Sequence, residues 1–337
     1  MKAIDIKEVG RAAFKDQEHR YPFLITENIE NILKSVDRAV VNDSWIYISG
    51  DVGTGKSEVT KYLQGRWQRE PEKYVVVSMK AWLRTGSRVS ALMKWLIATI
   101  EPDHRIPGDV ELRAERLKTL LMKCYRGKKK VIVMIDEAQD LSEQTFRELK
   151  KVHELSAFGV SHLFSIIMFA KESSRADGFL AGRELGYRIK RVPIIPLSDY
   201  EMTEFAEKRF DIKFPAGAER RRVTSYFAQM AHPSPLGVRH LCEAIQDLPD
   251  FKGILTLEVI QTAMRRDRKA QMRKYRITLK DIQNEAKKSH GMNLATSTIS
   301  DIQSGKGHKY NETTVAKLDA IERDLIDRAK GYERRAM

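Results

Sequence analysis

Five short apolar runs, at residues 45–49, 74–78, 131–135, 163–169 and 192–195, mark the first two hundred positions of the chain. They are rich in Val and Ile and lack strict apolar–polar alternation. That pattern predicts strands buried on both faces of a parallel sheet. Helical stretches separate them, so the expected fold is an α/β layer structure with a five-stranded parallel sheet and helices on both faces. Residues 1–44 read as helical. Within them Ile29, Ile32, Leu33, Val36, Ala39 and Val40 recur at helical spacing behind Thr26, a suitable N-cap.

From residue 199 the strand signal stops. Residues 199–210, 219–231, 237–247 and 256–274 read as helices, punctuated by Pro215, Pro233, Pro235 and Pro249. Three further helices follow. Residues 278–288 carry Leu279, Ile282 and Ala286 on one side, and 312–329 carry Val315, Leu318, Ile321, Leu325 and Ile326. Between them, residues 295–303 can turn Ile299 and Ile302 inward while Thr296, Ser297, Thr298, Ser300 and Asp301 stay outward. His290-Gly291 and Ser304-Gly305-Lys306-Gly307 supply turn signals. The expected organisation is an α/β domain over 1–198, a small helical domain over 199–263, a basic linker over 264–276 and an all-α domain over 277–337.

Composition narrows the classes. With 337 residues, 42% hydrophobic, 19 Gly and 10 Pro, the chain is neither disordered nor collagenous. Two cysteines, Cys124 and Cys242, are too few for a disulfide scaffold; both fall on apolar helical faces and read as core thiols of a cytoplasmic protein. The longest apolar runs are too short for a bilayer, and the first residues lack a signal-peptide core, so no membrane association is expected. Trp82 and Trp95 are expected to pack in the helical region after the second strand, and His290 and His308 show no metal-ligand spacing.

Charge adds a place. The net charge is +14, and residues 264–280 hold Arg265, Arg266, Arg268, Lys269, Arg273, Lys274, Arg276 and Lys280 against Asp267 alone. Half of the excess lies in that stretch. A solvated helix face mixes both signs, so this one points to a phosphate backbone, double-stranded DNA being the natural partner. An acidic protein or lipid surface is the alternative.

The chemistry sits at two strand ends. Gly50, Asp51, Val52, Gly53, Thr54, Gly55, Lys56 and Ser57 satisfy G-x-x-x-x-G-K-[ST], directly after one predicted strand and opening a helix. Such a loop turns backbone N–H groups and a helix N-terminus toward phosphates, with Lys56 reaching the β- and γ-phosphates of ATP and Ser57 ligating Mg²⁺. The run 131–135 ends in Asp136 and Glu137. Adjacent acids at the end of a buried strand are costly without a cation; Asp136 suits Mg²⁺ and Glu137 suits the attacking water.

On these motifs the chain resembles the AAA+ ATPases over residues 21–263, and more narrowly the transposition-type group that includes the B protein of phage Mu, TnsC and IstB-like proteins. The resemblance implies a P-loop sheet domain followed by a helical lid, the order already read from periodicity. It makes Arg188, in Gly186-Tyr187-Arg188-Ile189-Lys190-Arg191, an arginine-finger candidate acting on a neighbouring subunit, with Arg191 as the second candidate. Arg239, in Pro235-Leu236-Gly237-Val238-Arg239, matches the sensor-2 pattern. The family usually has a polar residue after the fourth strand. Here Ala170 or Lys171 stands there, which implies slow hydrolysis. Residues 277–337 resemble a helix-turn-helix reader, with Thr296, Ser297 and Thr298 facing DNA, although in the Mu B protein that domain precedes the ATPase core. The resemblance also suggests a DNA-facing loop at Lys80–Arg88, carried by Lys80, Arg84 and Arg88 at an oligomer-pore position of related ATPases. The implied function is an ATPase that forms rings or filaments on DNA and recruits or stimulates a transposase. A replication-initiator, helicase-loader or defence-type switch, and a scaffold ATPase that does not bind DNA, are the alternatives.

Overall fold

The computed structural model describes residues 25–80, 88–103, 105–156, 159–172, 180, 188–303 and 311–336. Expectations for residues 1–24, Trp82 and the rest of 81–87, Gly186, Tyr187, the 304–307 turn and His308 lie outside them. The chain divides into two compact units, Met1–Leu197 and Ser198–Met337.

In the first unit, helix α1 (Glu27–Val41) starts at Thr26, whose hydroxyl accepts the Ile29 N–H at 3.3 Å. Strands β1 (Trp45–Gly50), β2 (Tyr74–Lys80), β3 (Lys130–Asp136), β4 (Ser165–Lys171) and β5 (Ile189–Pro193) form one parallel sheet in the order β2-β3-β4-β1-β5. Helices α2 (Lys56–Gln68), α3 (Arg88–Ile100), α4 (Val110–Arg126) and α5 (Glu143–His153) make the crossovers. Alternate strand residues separate cleanly between two cores. Trp45, Tyr47, Val131, Val133, Ile135, Ile166 and Met168 pack with α3, α4 and α5. Ile46, Ile48, Ile132, Met134, Ile167 and Phe169 pack with α1 and α2. This two-sided burial is why the strands read as unbroken apolar runs. Two readings shift. Trp95 on α3 is 38% exposed rather than packed inside, and the last strand runs Ile189–Pro193, earlier than the apolar run at 192–195.

The second unit is helical. Helices α6 (Asp199–Phe210), α7 (Ala218–Met230) and α8 (Pro235–Gln246) precede a long α9 (Leu257–Lys274). Ser198 and Glu201 cap α6 reciprocally, and Thr256 caps α9. Helices α10 (Leu279–His290), α11 (Thr296–Gln303) and α12 (Glu312–Ala336) complete the unit. Their core gathers Ile282, Ala286, Ile299, Ile302, Leu318, Ile321 and Ile326 around Met272 of α9. The segment expected as a linker is therefore mostly helix, and its inner side belongs to this core. Cys124 and Cys242 are both buried and unpaired.

His153, at the end of α5, is a buried titratable group of the first unit. Its ring stands edge-on to Phe164 at 5.2 Å and to Trp45 at 5.9 Å, and its Nε2 lies 3.0 Å from the Asp43 carbonyl. Burial, helped by the charge of His162, holds its pKa down at about 4. Between pH 6.5 and about 4 the unfolded chain therefore binds a proton that the folded chain resists, and stability is lost as pH falls through that window. Urea unfolding at pH 7 and pH 4.5 should show the native chain losing about 2–3 kcal/mol more than His153→Gln, which keeps a hydrogen-bonding side chain but does not titrate.

Candidate functional site

The loop after β1 is built by backbone shape. Gly55 is the residue before α2 and has φ 94° and ψ 12°, a left-handed conformation that a side chain would strain. It offers no side-chain cap, so the first N–H groups of α2 stay available to a ligand. Thr54 closes the loop with its hydroxyl donating to the Asp51 carbonyl at 2.8 Å. A Cβ on Gly50 would stand 2.9 Å from Thr54 Oγ1 and 3.0 Å from Ile194 Cβ, so the cradle closes only with glycine there. Lys56 folds into it, its Nζ donating to the carbonyls of Gly50 and Asp51 at 2.7 Å each. Burial lowers the Lys56 pKa, and the carboxylates of Glu137, Asp136 and Asp51 oppose that shift, while Lys171 adds to it. An ammonium held by carbonyls at an uncapped helix start is a site that accepts a polyanion.

Asp136 ends β3 and Glu137 follows it, two strand positions from β1 with β4 between them. At normal strand spacing that leaves about 10 Å between the loop and the acids, room for phosphates and a cation. Asp136 is half-buried and its Oδ1 accepts the Glu137 N–H at 2.9 Å. Glu137 is exposed and has φ 55°, the left-handed region that non-glycine residues seldom occupy. No group of three or more His, Cys, Asp or Glu side chains that could hold a metal exists among the described residues. The sparse pair Ser57 and Asp136 fits Mg²⁺, which completes its shell with phosphates and water, and does not fit a metal that needs a full protein cage. One participant escaped the sequence. Gln139, on the short turn Ala138–Asp140, donates from Nε2 to Glu137 Oε2 at 2.6 Å and accepts the Lys171 N–H at 2.8 Å.

Ala170 and Lys171 adjoin the loop, as the β4 partners of Ser49 and Gly50. Ala170 at the end of β4 is 1% exposed and offers no polar atom from its side chain; Lys171 follows it at the surface. Arg188 precedes β5, whose Ile189 pairs with Trp45 at the start of β1. It therefore sits at the opposite edge of the sheet from its own loop, about 17 Å away along the strand, and is ion-paired with Glu154. Arg191 lies within β5 and is exposed. Arg239 is on α8, exposed, with Nε donating to Glu243 at 2.7 Å.

The basic stretch forms the second half of α9. At about 100° per residue, Arg265, Arg266, Lys269 and Arg273 fall within about 100° of arc, a single cationic face. Lys269, Arg273 and Lys274 are exposed, and Arg266 also reaches the Asp247 carbonyl at 2.8 Å. Arg268 is the correction. It is 7% exposed and ion-paired with Asp319 and with Glu322 at 3.1 Å, so its charge is neutralised inside and is not presented to a phosphate. Burial alone would lower Arg268 and raise Glu322; the two acids reverse the first shift, and Gln303, donating to Glu322 at 2.7 Å, opposes the second. Of the expected reader residues, Thr296 and Ser297 are exposed and Thr298 half-buried at the start of α11.

A phosphate loop at β1, two acids at β3 and the sheet order β2-β3-β4-β1-β5 together define an AAA-type P-loop domain. The AAA domain family model matches residues 40–176. A search of curated proteins returns no match. Among solved structures, the Aeropyrum pernix ORC2 protein in ADPNP–ADP complexes is 12% identical, with 94% of this chain and 98% of that chain covered at a TM-score of 0.51. Drosophila ORC bound to DNA is 13% identical, covering 97% and 81%, also at 0.51. At these identities the likeness is one of fold. No helix among the described residues is long and apolar enough to cross a membrane.

The Arg268 cluster makes a sharp stability test. Arg268→Ala leaves the Glu322 carboxylate buried without its cation and should cost about 3–5 kcal/mol, whereas Lys269→Ala on the exposed face should cost no more than about 0.5 kcal/mol. Urea denaturation of the two variants reads the difference.

Proposed function

We propose that this chain is an ATP-dependent, DNA-binding AAA+ ATPase that assembles on duplex DNA and regulates transposition by recruiting or stimulating a transposase. The observation that carries the ATPase reading is the placement of Lys56 and Glu137 on either side of the β4 end, in each other's electrostatic field. Residues 53–57 offer backbone N–H groups to the phosphates, and Lys56 exchanges two carbonyls for β- and γ-phosphate oxygens, a charge-assisted replacement. Ser57 and Asp136 would hold Mg²⁺, which supplies charge neutralisation at the phosphates. Glu137 orients the attacking water and receives its proton. Arg188, at the far edge of its own sheet, serves the γ-phosphate of a neighbouring copy, so ATP favours a homo-oligomer, a ring or a filament. Arg239 completes the phosphate contacts from the helical lid, as the sensor-2 resemblance implies.

DNA is held first by charge. The face formed by Arg265, Arg266, Lys269 and Arg273, with Lys274 beside it, meets the phosphate backbone without reading sequence. Thr296, Ser297 and Thr298, at the start of α11, are the contacts for base edges. The transposition role rests on the motif resemblance to the Mu B, TnsC and IstB-like group. A second reading, a replication-initiator type of switch, is supported by the fold likeness to ORC proteins along nearly the whole chain. Stimulation of a transposase by the ATP-bound protein supports the first reading; ATP-dependent preference for one duplex sequence, without that stimulation, supports the second.

Two measurements test the core of the proposal. Lys56→Ala should abolish binding of ATP, whereas Glu137→Gln should bind ATP normally and lower turnover by at least about a hundredfold. Retained ATP affinity in the first variant overturns the site. DNA affinity should fall steeply with salt, and Arg273→Ala should reduce the log–log slope by about 1 without changing sequence preference. A shallow slope in the native chain overturns the backbone contact.

A further inference from the structure

We propose that Gln139 is a positioning residue that holds the Glu137 carboxylate and ties it to the end of β4. The inference rests on the reading of Glu137 given above and adds a residue that no motif assigned. Gln139 makes two hydrogen bonds of opposite sense: its amide nitrogen donates to Glu137 Oε2 at 2.6 Å, and its amide oxygen accepts the Lys171 N–H at 2.8 Å. Chemistry fixes that orientation. Turned over, the amide would set its oxygen against a carboxylate and its NH₂ against another N–H. Gln139 therefore acts as a strut between two strand ends.

The site needs such a strut for two reasons. Glu137 stands in a left-handed conformation at φ 55°, with its N–H tied back to Asp136, so its side chain leaves a strained backbone and has to be aimed. Next to it, the last buried residue of β4 is Ala170, apolar, whose side chain cannot help. Gln139 instead takes the N–H of Lys171, the last residue of β4. The turn that carries Gln139 is itself fixed, with Ala138 fully buried and the Asp140 N–H bonded to the Glu137 carbonyl at 3.0 Å. Any displacement of the β4 end is thereby felt at the Glu137 carboxylate. Lys171 lies in the electrostatic field of Lys56, so the same strut links the carboxylate to the phosphate side of the site.

Two near-isosteric variants separate the two bonds. Gln139→Met removes both, while Gln139→Glu keeps the acceptor for Lys171 and replaces the donor with a second carboxylate facing Glu137. In the full-length chain with ATP and Mg²⁺, both should lower kcat by roughly ten- to a hundredfold and leave the ATP Kd within about twofold. Amide exchange at Lys171 should quicken in Gln139→Met and stay at the native rate in Gln139→Glu, which also shows that the variant is folded. Native kcat in Gln139→Glu overturns the proposal, as does a loss confined to ATP affinity. Glu137→Gln run in parallel tells the two failures apart. If it stops turnover while both Gln139 variants hydrolyse normally, only this inference falls; if it hydrolyses normally, the reading of Glu137 falls first.

Discussion

Two-sided burial of a parallel sheet is the constraint from which the rest of this molecule follows. Strand β3 is buried from Val131 through Ile135, and β4 from Ser165 through Ala170. No charge can sit along such strands without losing its hydration, so polar groups are driven to the strand ends. At the carboxyl edge the loop of β1, the acids of β3 and the last N–H of β4 converge. The same rule operates at the opposite edge, where Lys130 pairs with Asp43 and Arg188 with Glu154. The chemistry is concentrated because the interior excludes it.

Within that edge, opposing effects set the state of Lys56, and burial is the largest of them. Burial alone favours a neutral amine; three carboxylates and two carbonyl oxygens favour the ammonium. The carbonyl contacts are 2.7 Å long and made by the loop itself, so the cation is satisfied before any ligand arrives. A phosphate that replaces them gains charge on the acceptor side without exposing the lysine to water. This is preorganisation: the cost of shaping the cradle is met during folding by glycine backbone and by the packing of Gly50 against Ile194.

How much of this could be read from residues alone depends on the range of each interaction. The phosphate loop, the acids after β3 and the helix starts at Thr26, Ser198, Thr256 and Thr278 are local patterns, and the structure carries all of them. The bond between Gln139 and Lys171 joins residues 32 apart, and the pair of Arg268 with Asp319 joins residues 51 apart. Neither leaves a local trace. Arg268 looked like one more cation in a basic run, because a count of charges does not reveal which member turns inward. Strand β5 was misplaced for a related reason. Lys190 and Arg191 are exposed, so its span is fixed by its ladder with β1 rather than by apolar residues. Trp95 shows the reverse case, an aromatic residue expected to pack among the helices after β2 that stays 38% exposed.

The buried ion cluster also decides what kind of object the cationic face is. A basic linker would present its charges on a flexible chain, and each would be ordered only on binding, at an entropic cost. Here α9 runs without a break from Leu257 to Lys274, packing through Ile260 and Ala263 in its first half and through Arg268 and Met272 in its second. The Arg268–Asp319–Glu322–Gln303 network and the apolar contacts of Met272 lock the second half onto α11 and α12. Arg265, Lys269 and Arg273 are thus held at fixed spacing on one rigid surface, in constant relation to the polar start of α11. The inward turn of one arginine removes a charge from the outer face, and in exchange the remaining charges keep a fixed arrangement. Under the DNA-binding proposal, shape as well as charge then selects what lies along this face.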